Sequence, residues 1–374
     1  MKIGISLKRR RKENTGTYEV ASQWKLMWWK LKKHRMALIA LPIIIIMYTV
    51  TMFAEFFAPS LPLERYRNFK ECPPTSIRLR DSENRFIGLH VRVKATDRDP
   101  NTFRKIYVDS DEVIPLGFFV HGSSYKFLGL FESDLHFFGP KESGREFFLM
   151  GTDSLGRDVF SRTLYGGRIS LSFCLVSIFF TFFIGLTLGG ISGYLGGVAD
   201  TIIQRMIDLI MSIPGIPLWM ALAAALPTTM SPLGKYLWMS VIMSLIGWTG
   251  LARVVRGKIL SLREEDFIIA ARLSGAGHAR VIGRHLLPSF MSYIIVSITA
   301  SIPGTILGET ALSFLGLGLQ APTISWGTLL QDAQTVETLA LQPWLLWPAF
   351  FIVITVLMFN FAGDGLRDAA DPYK

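Results

Sequence analysis

Asp153 and Asp158, five residues apart in MGTDSLGRDVFSR, are the carboxylates of this chain best spaced for acid–base work or for holding a divalent metal. Arg157 and Arg162 are interleaved with them, and the segment runs straight into a long apolar stretch. Structural chemistry suits them better: the four side chains neutralise one another and satisfy the free amides where a helix begins. His90, His121 and His136 lack metal-ligand spacing, so no metal is expected. Cys72 and Cys174 fall on segments separated by membrane depth, so no disulfide is expected. The sequence contains no GxxxxGK[ST], HExxH or GxSxG pattern. It is therefore not expected to be an enzyme, it needs no cofactor, and any ATP used with it is hydrolysed by another polypeptide.

A second stretch, FIIAARLSGAGHARVIGRHLLPS from Phe267 to Ser289, points to recognition by shape. Phe267, Ala270, Ala271 and Ser274 recur at i, i+3, i+4 and i+7, which lines small, mostly apolar groups along one face of a short helix. Gly275 and Gly277, flanking Ala276, break that helix, and Pro288 stands where the next apolar run starts. Presented outside the bilayer, such a helix is shaped to dock into a groove on a partner. The plainer alternative is an amphipathic connector.

The elements that position these segments are membrane spans. Half of the 374 residues are hydrophobic, and about 20 apolar residues cross a bilayer core. Six spans are expected: 36–54, then roughly 169–188, 209–226, 237–252, 289–307 and 344–361. Almost no ionisable residue falls between their ends. Before the first span lies a basic tail, 1–35, which includes Trp24, Trp28 and Trp29 as candidate interfacial anchors. The segment from Arg253 to Leu287 is also rich in Arg and Lys, whereas Gly308 to Pro343 has none. This asymmetry places both termini and the 253–288 loop in the cytoplasm. Only the loop between spans two and three is ambiguous, with Arg205 against Asp200 and Asp208. The net charge of +10 is read as an orientation signal toward anionic lipid and not as a nucleic-acid surface. Residues 55–168 form an external insertion. There Ile87, Leu89, Val91 and Val93 alternate with Gly88, His90, Arg92 and Lys94, and Ile77 and Leu79 with Arg78 and Arg80, around a polar DSEN turn. A small β-containing subdomain is expected.

Several motifs in order resemble the permeases of binding-protein-dependent ABC importers, in the dipeptide, oligopeptide and nickel group. They are GTDSLGRDVFSRTLYGGRISL, GYLGG, RMIDLIMSIP, ETALSFLGLGLQAPTISWGTLL and the terminal FNFAGDGLRDAADPYK, and the resemblance covers about 151–372 together with the first span. Gly151, Thr152, Asp153, Gly156, Arg157, Asp158 and Arg162 lie in the first of these. The 267–289 stretch resembles the family's cytoplasmic coupling loop, EAA-x3-G-x9-I-x-LP: Ala270, Ala271, Gly275, Leu287 and Pro288 match, whereas Ile269 and His285 replace the Glu and the Ile. The usual loop carboxylate is thus missing, and Glu264, Glu265 or Asp266 is the candidate substitute.

The resemblance implies an all-α polytopic membrane protein of the bacterial inner membrane, with six transmembrane helices of the type I ABC importer kind. It implies alternating access driven by two separate ATP-binding subunits, a second related permease as heterodimeric partner and an external solute-binding protein. The implied substrate is a peptide, with oligosaccharides, opines or nickel as alternatives within the class. No residue of the sequence identifies the substrate pathway. A secondary transporter or channel is the remoter alternative, set aside because the spans lack ionisable residues for ion coupling. A membrane-anchored enzyme or sensor is set aside for want of a catalytic constellation.

Overall fold

A computed structural model describes residues 23–80, 85–100, 103, 105–142, 144–227 and 229–370. The DSEN turn at 81–84 and most of the basic tail lie outside the described residues. Among the described residues, five helices are long and apolar enough to cross a membrane, and a bent pair makes a sixth crossing if it counts as one span.

A short helix, α1 (Gln23–Leu31), precedes the first span, α2 (Arg35–Met52), which continues after a break as α3 (Ala54–Phe57). The insertion is an antiparallel meander of β1 (Arg78–Arg80), β2 (Phe86–Arg98), β3 (Lys105–Phe127) and β4 (Phe131–Pro140), hydrogen-bonded in that order. The long β3 pairs with β2 along its first half and with β4 along its second. On β2 the alternation holds at its centre, where Val91 is buried between half-buried Leu89 and Val93. Ile87 is exposed, and His90, on the opposite face, is also buried, so the sheet is covered on both sides at that point.

The second span is α4 (Val159–Leu195), far longer than its apolar core at 169–188. The third expected span, 209–226, is not one straight helix. It divides into α5 (Gly197–Met211) and α6 (Gly215–Ala224), bent by 89° at a break ahead of Pro214. Hydropathy counts apolar residues and is blind to such a bend. The fourth span belongs to α7 (Pro232–Leu262), started by Ser231, whose hydroxyl accepts from the Gly234 amide. Then come α8 (Asp266–Leu273), α9 (His278–Arg280), a π-turn (Val281–Leu286) and α10 (Leu287–Ser289). The fifth span, α11 (Met291–Phe314), runs unbroken through Pro303, past the expected end at 307. Short α12 (Trp326–Gln331) and α13 (Val336–Leu341) lead to the last span, α14 (Trp347–Ala370).

The bundle is organised around α4 and α7. Gly185, Gly189 and Gly193, four apart on α4, press on α7: a Cβ on each would lie 2.9 Å from Leu251 Cβ, 2.6 Å from the Ala252 carbonyl oxygen and 2.9 Å from the Arg256 carbonyl oxygen. Small residues at this spacing let helix backbones approach where lipid supplies no hydrophobic drive. A second layer joins α2, α11 and α14 through Ala40, Ile44, Ile302, Ile306, Ile352 and Phe359. At one end of the bundle Met27 and Leu31 of α1 pack with Ala37 and Ala369, bringing the first and last helices together.

Candidate functional site

The helix expected at Phe267 to Ser274 is α8. Its end is a Schellman arrangement: Gly275, at φ +82°, donates to the Arg272 carbonyl and Ala276 donates to the Ala271 carbonyl. No atom lies within 4 Å of a Cβ built on Gly275, so glycine is required there by backbone conformation alone. Phe267, Ala270 and Ser274 are exposed and Ala271 is half-buried, so the anticipated small-residue face points outward. Ile269 and Leu273 add apolar surface to the exposed helix. The anchor is Ile268, fully buried with Val255 and Ile259 of α7, Val281 and Leu286 of the π-turn, and Phe290 and Ile294 at the start of α11. The i, i+3, i+4 pattern of small residues passed over Ile268, a branched apolar residue about a quarter turn round the helix from the stripe. Arg272 lies over the Tyr194 ring at 5.0 Å and His278 meets the same ring edge-on, tying the loop to the end of α4.

Ile269 is exposed and His285 is half-buried in the π-turn. Glu264 pairs with Arg263 at 3.0 Å, Glu265 is the residue preceding α8, and Asp266 is exposed in its first turn. Gly277 precedes α9, Leu287 is half-buried and Pro288 is exposed in α10.

Where the same end of the bundle meets α5, charge is neutralised between helices. Asp200 accepts a two-pronged contact from Arg256, 2.6 Å on each prong, and a hydrogen bond from Ser192. Asp208 pairs with Arg253 at 2.6 Å. The two acidic charges of the ambiguous loop thus belong to ion pairs with α7, which counting loop by loop does not register.

At the opposite end, the Gly151–Arg162 motif folds into a buried knot. Asp153 Oδ2 accepts from Arg157 Nε at 2.7 Å and Arg162 Nη1 at 2.9 Å, while Oδ1 accepts the Leu155 and Arg157 amides. Asp158 caps α4 by accepting the Ser161 amide at 2.8 Å. Complete burial raises its pKa to about 6. Thr152 Oγ1 accepts the Cys72 amide, and its carbonyl accepts from Trp344 Nε1 at 3.0 Å. Gly151 and Gly156 have φ near +75°, and a Cβ on Gly156 would fall 2.3 Å from the Tyr66 carbonyl oxygen. The motif therefore joins the chain after α3, the start of α4 and the approach to α14.

One functional candidate escaped the expectation that spans lack internal charge. Glu309 on α11 is 1 % exposed, accepting from Ser170 of α4 at 3.1 Å and Ser313 at 2.9 Å. Ser170 in turn accepts the amide of Trp326, which is fully buried and donates Nε1–H to the Thr163 carbonyl. Glu309 lies just beyond the apolar run that defined the span, so a hydropathy window assigned it to the loop.

Two family descriptions match the chain: "Binding-protein-dependent transport system inner membrane component" over residues 185–373, and "N-terminal TM domain of oligopeptide transport permease C" over 22–74. The dipeptide transport system permease protein DppC of Bacillus subtilis is 42 % identical over 225 residues, covering 59 % of this chain and 68 % of that protein. The oligopeptide transport system permease protein OppC of Haemophilus influenzae is 42 % identical over 235 residues, 62 % of this chain and 72 % of its own length. Among solved structures, an inward-facing MetNI methionine ABC transporter aligns with 56 % of this chain and 97 % of its own, at 20 % identity and TM-score 0.44.

Proposed function

Since this chain belongs to the family of binding-protein-dependent transport system inner membrane components, we propose that it is the permease subunit of an ATP-driven peptide importer, coupled to its motor through α8. The observation that carries the coupling role is the anchoring of α8: its outer face is free for a partner, while Ile268 is locked among residues of both α7 and α11. A displacement imposed on α8 is passed to two spans at once, as alternating access requires.

ATP-binding subunits on the cytoplasmic side dock on Phe267, Ala270, Ala271 and Ser274. With Ile269 and His285 in place of the family's Glu and Ile, fit depends on shape, and Asp266, exposed in the first turn of α8, supplies the carboxylate. A second, related permease completes the pathway as a heterodimer, and an external binding protein delivers the peptide. Both termini are cytoplasmic, an arrangement supported by the packing of α1 on the end of α14.

Reconstitution tests this function. Proteoliposomes holding the two permeases and the ATPases are expected to take up peptide only with ATP and the binding protein present. Flux down a gradient through this chain alone, without ATP, would refute the proposal.

A further inference from the structure

The hairpin of β3 and β4 ends in an apolar tip whose Leu128, Leu130 and Phe131 are exposed. Phe127 pairs with Phe131 across a turn of Leu128, Gly129 and Leu130, with Leu130 80 % and Phe131 58 % exposed. Leu128 has φ +48°, a left-handed conformation for which a water-facing turn favours Asn or Gly. Phe118 and Phe119 on β3 are exposed as well.

Aromatic contacts fix the depth of this tip. Phe53 directly follows Met52, the last residue of the apolar span α2, and its ring stacks on Phe127 at 5.6 Å; Phe127 stacks on Phe131 at 5.3 Å. Farther from the span, Phe56 and Phe57 of α3 meet Phe119 and Phe137. His136 Nδ1 faces the Ala58 carbonyl oxygen at 2.6 Å, pinning the hairpin to the chain just after α3. The strands thus descend along the end of the first span, and their apolar tip arrives where that span leaves the hydrocarbon. Rings concentrate at this level of a bilayer, and Lys126 and Glu132, exposed on either side of the tip, have the length to reach head groups.

We propose that the tip of this hairpin, residues 127–131, is seated in the interfacial layer of the lipid bilayer beside the end of α2, as a second membrane anchor for the insertion. The side of the membrane rests on the topology proposed above, whereas the depth rests on Phe53 and is independent of it. Carrying Leu130→Cys or, separately, Phe86→Cys, the full chain is labelled with an environment-sensitive fluorophore and placed in phosphatidylcholine nanodiscs. Cys72 and Cys174 are fully buried and stay unlabelled, and Phe86, 74 % exposed on β2, serves as the water-facing reference. Spin-labelled lipid with its nitroxide near the head group is expected to quench the Leu130 label several-fold more than the Phe86 label, with iodide showing the reverse order. Equal iodide quenching at both sites would overturn the proposal. So would loss of lipid quenching at Leu130 in the assembled importer, since the tip would then be covered by a partner subunit.

Discussion

Replacing Gly189 by Ala tests the packing on which the bundle depends. The added methyl would sit 2.6 Å from the Ala252 carbonyl oxygen and 2.8 Å from its Cα, against the 3.4 Å at which ordinary contact begins. Both neighbours are backbone, so no rotamer change relieves the clash and the helices must separate by about 0.8 Å, given the stiffness of close-packed interiors. Overpacking of this kind costs about 1–3 kcal/mol, partly offset by up to ~1 kcal/mol from the better helix propensity of Ala. The adjacent Gly190 is the control: its added methyl would find only Ile282 Cγ2, at 3.9 Å, and Gly190→Ala should be neutral or stabilising by about 0.5–1 kcal/mol. Thermal unfolding in detergent is followed by the reactivity of Cys174, which is fully buried on α4. At about 2–4 °C per kcal/mol for a domain of this size, Gly189→Ala should lower the midpoint by several degrees while Gly190→Ala leaves or raises it. Equal shifts in the two variants, or a rise in Gly189→Ala, would refute the close-packing account.

Ala271→Asp and Gly275→Asp should leave the protein inserted but reduce co-purification with the ATPase subunits in detergent; undiminished recovery of the ATPase removes the docking role. Asp266→Ala should weaken the coupling of ATP hydrolysis to transport, and normal coupling would exclude it as the substitute carboxylate. Asp153→Asn leaves Arg157 and Arg162 without their shared carboxylate. It should cost about 3–5 kcal/mol, measured as loss of folded protein in the membrane, with Asp153→Asn/Arg162→Met recovering part. For Asp158 the folded pKa of about 6 lies above the ordinary 3.8, so the folded state binds the proton more tightly. Its stabilising contribution is full below about pH 4 and is lost as pH rises through 6, about 3 kcal/mol in all. Asp158→Asn, which keeps the capping oxygen, should flatten the stability profile across that window, and an unchanged slope would contradict the assignment.

Apolar runs revealed five of the six expected spans as single helices, because a bilayer demands about 20 consecutive apolar residues, while the third is a bent pair among the described residues. They were not enough for the helix ends. Val159 to Arg168 is interrupted by Arg162 and Arg168, yet it continues α4, since Asp158 caps it and Arg168 reaches Glu55 and the last carbonyls of α2. The burial of Glu309 depends on a neighbour distant in sequence, Ser170. In the 267–289 loop, spacing identified the exposed face of α8 but not its anchor. Ile268 is defined by α7 and α11, which a helical period within eight residues cannot express.

The length of α7 has a mechanical meaning. Its 31 residues span about 46 Å at 1.5 Å each, against a hydrocarbon core of about 30 Å. It runs without a break from Ser231 at one end of the bundle to Ile259 beside the buried Ile268 at the other. On the far side of the loop, α11 starts only after a π-turn and an interruption at Phe290. On the coupling role proposed above, a thrust at α8 would reach α7 through an unbroken helix but α11 only across the π-turn and the break at Phe290, so the two helices need not move alike.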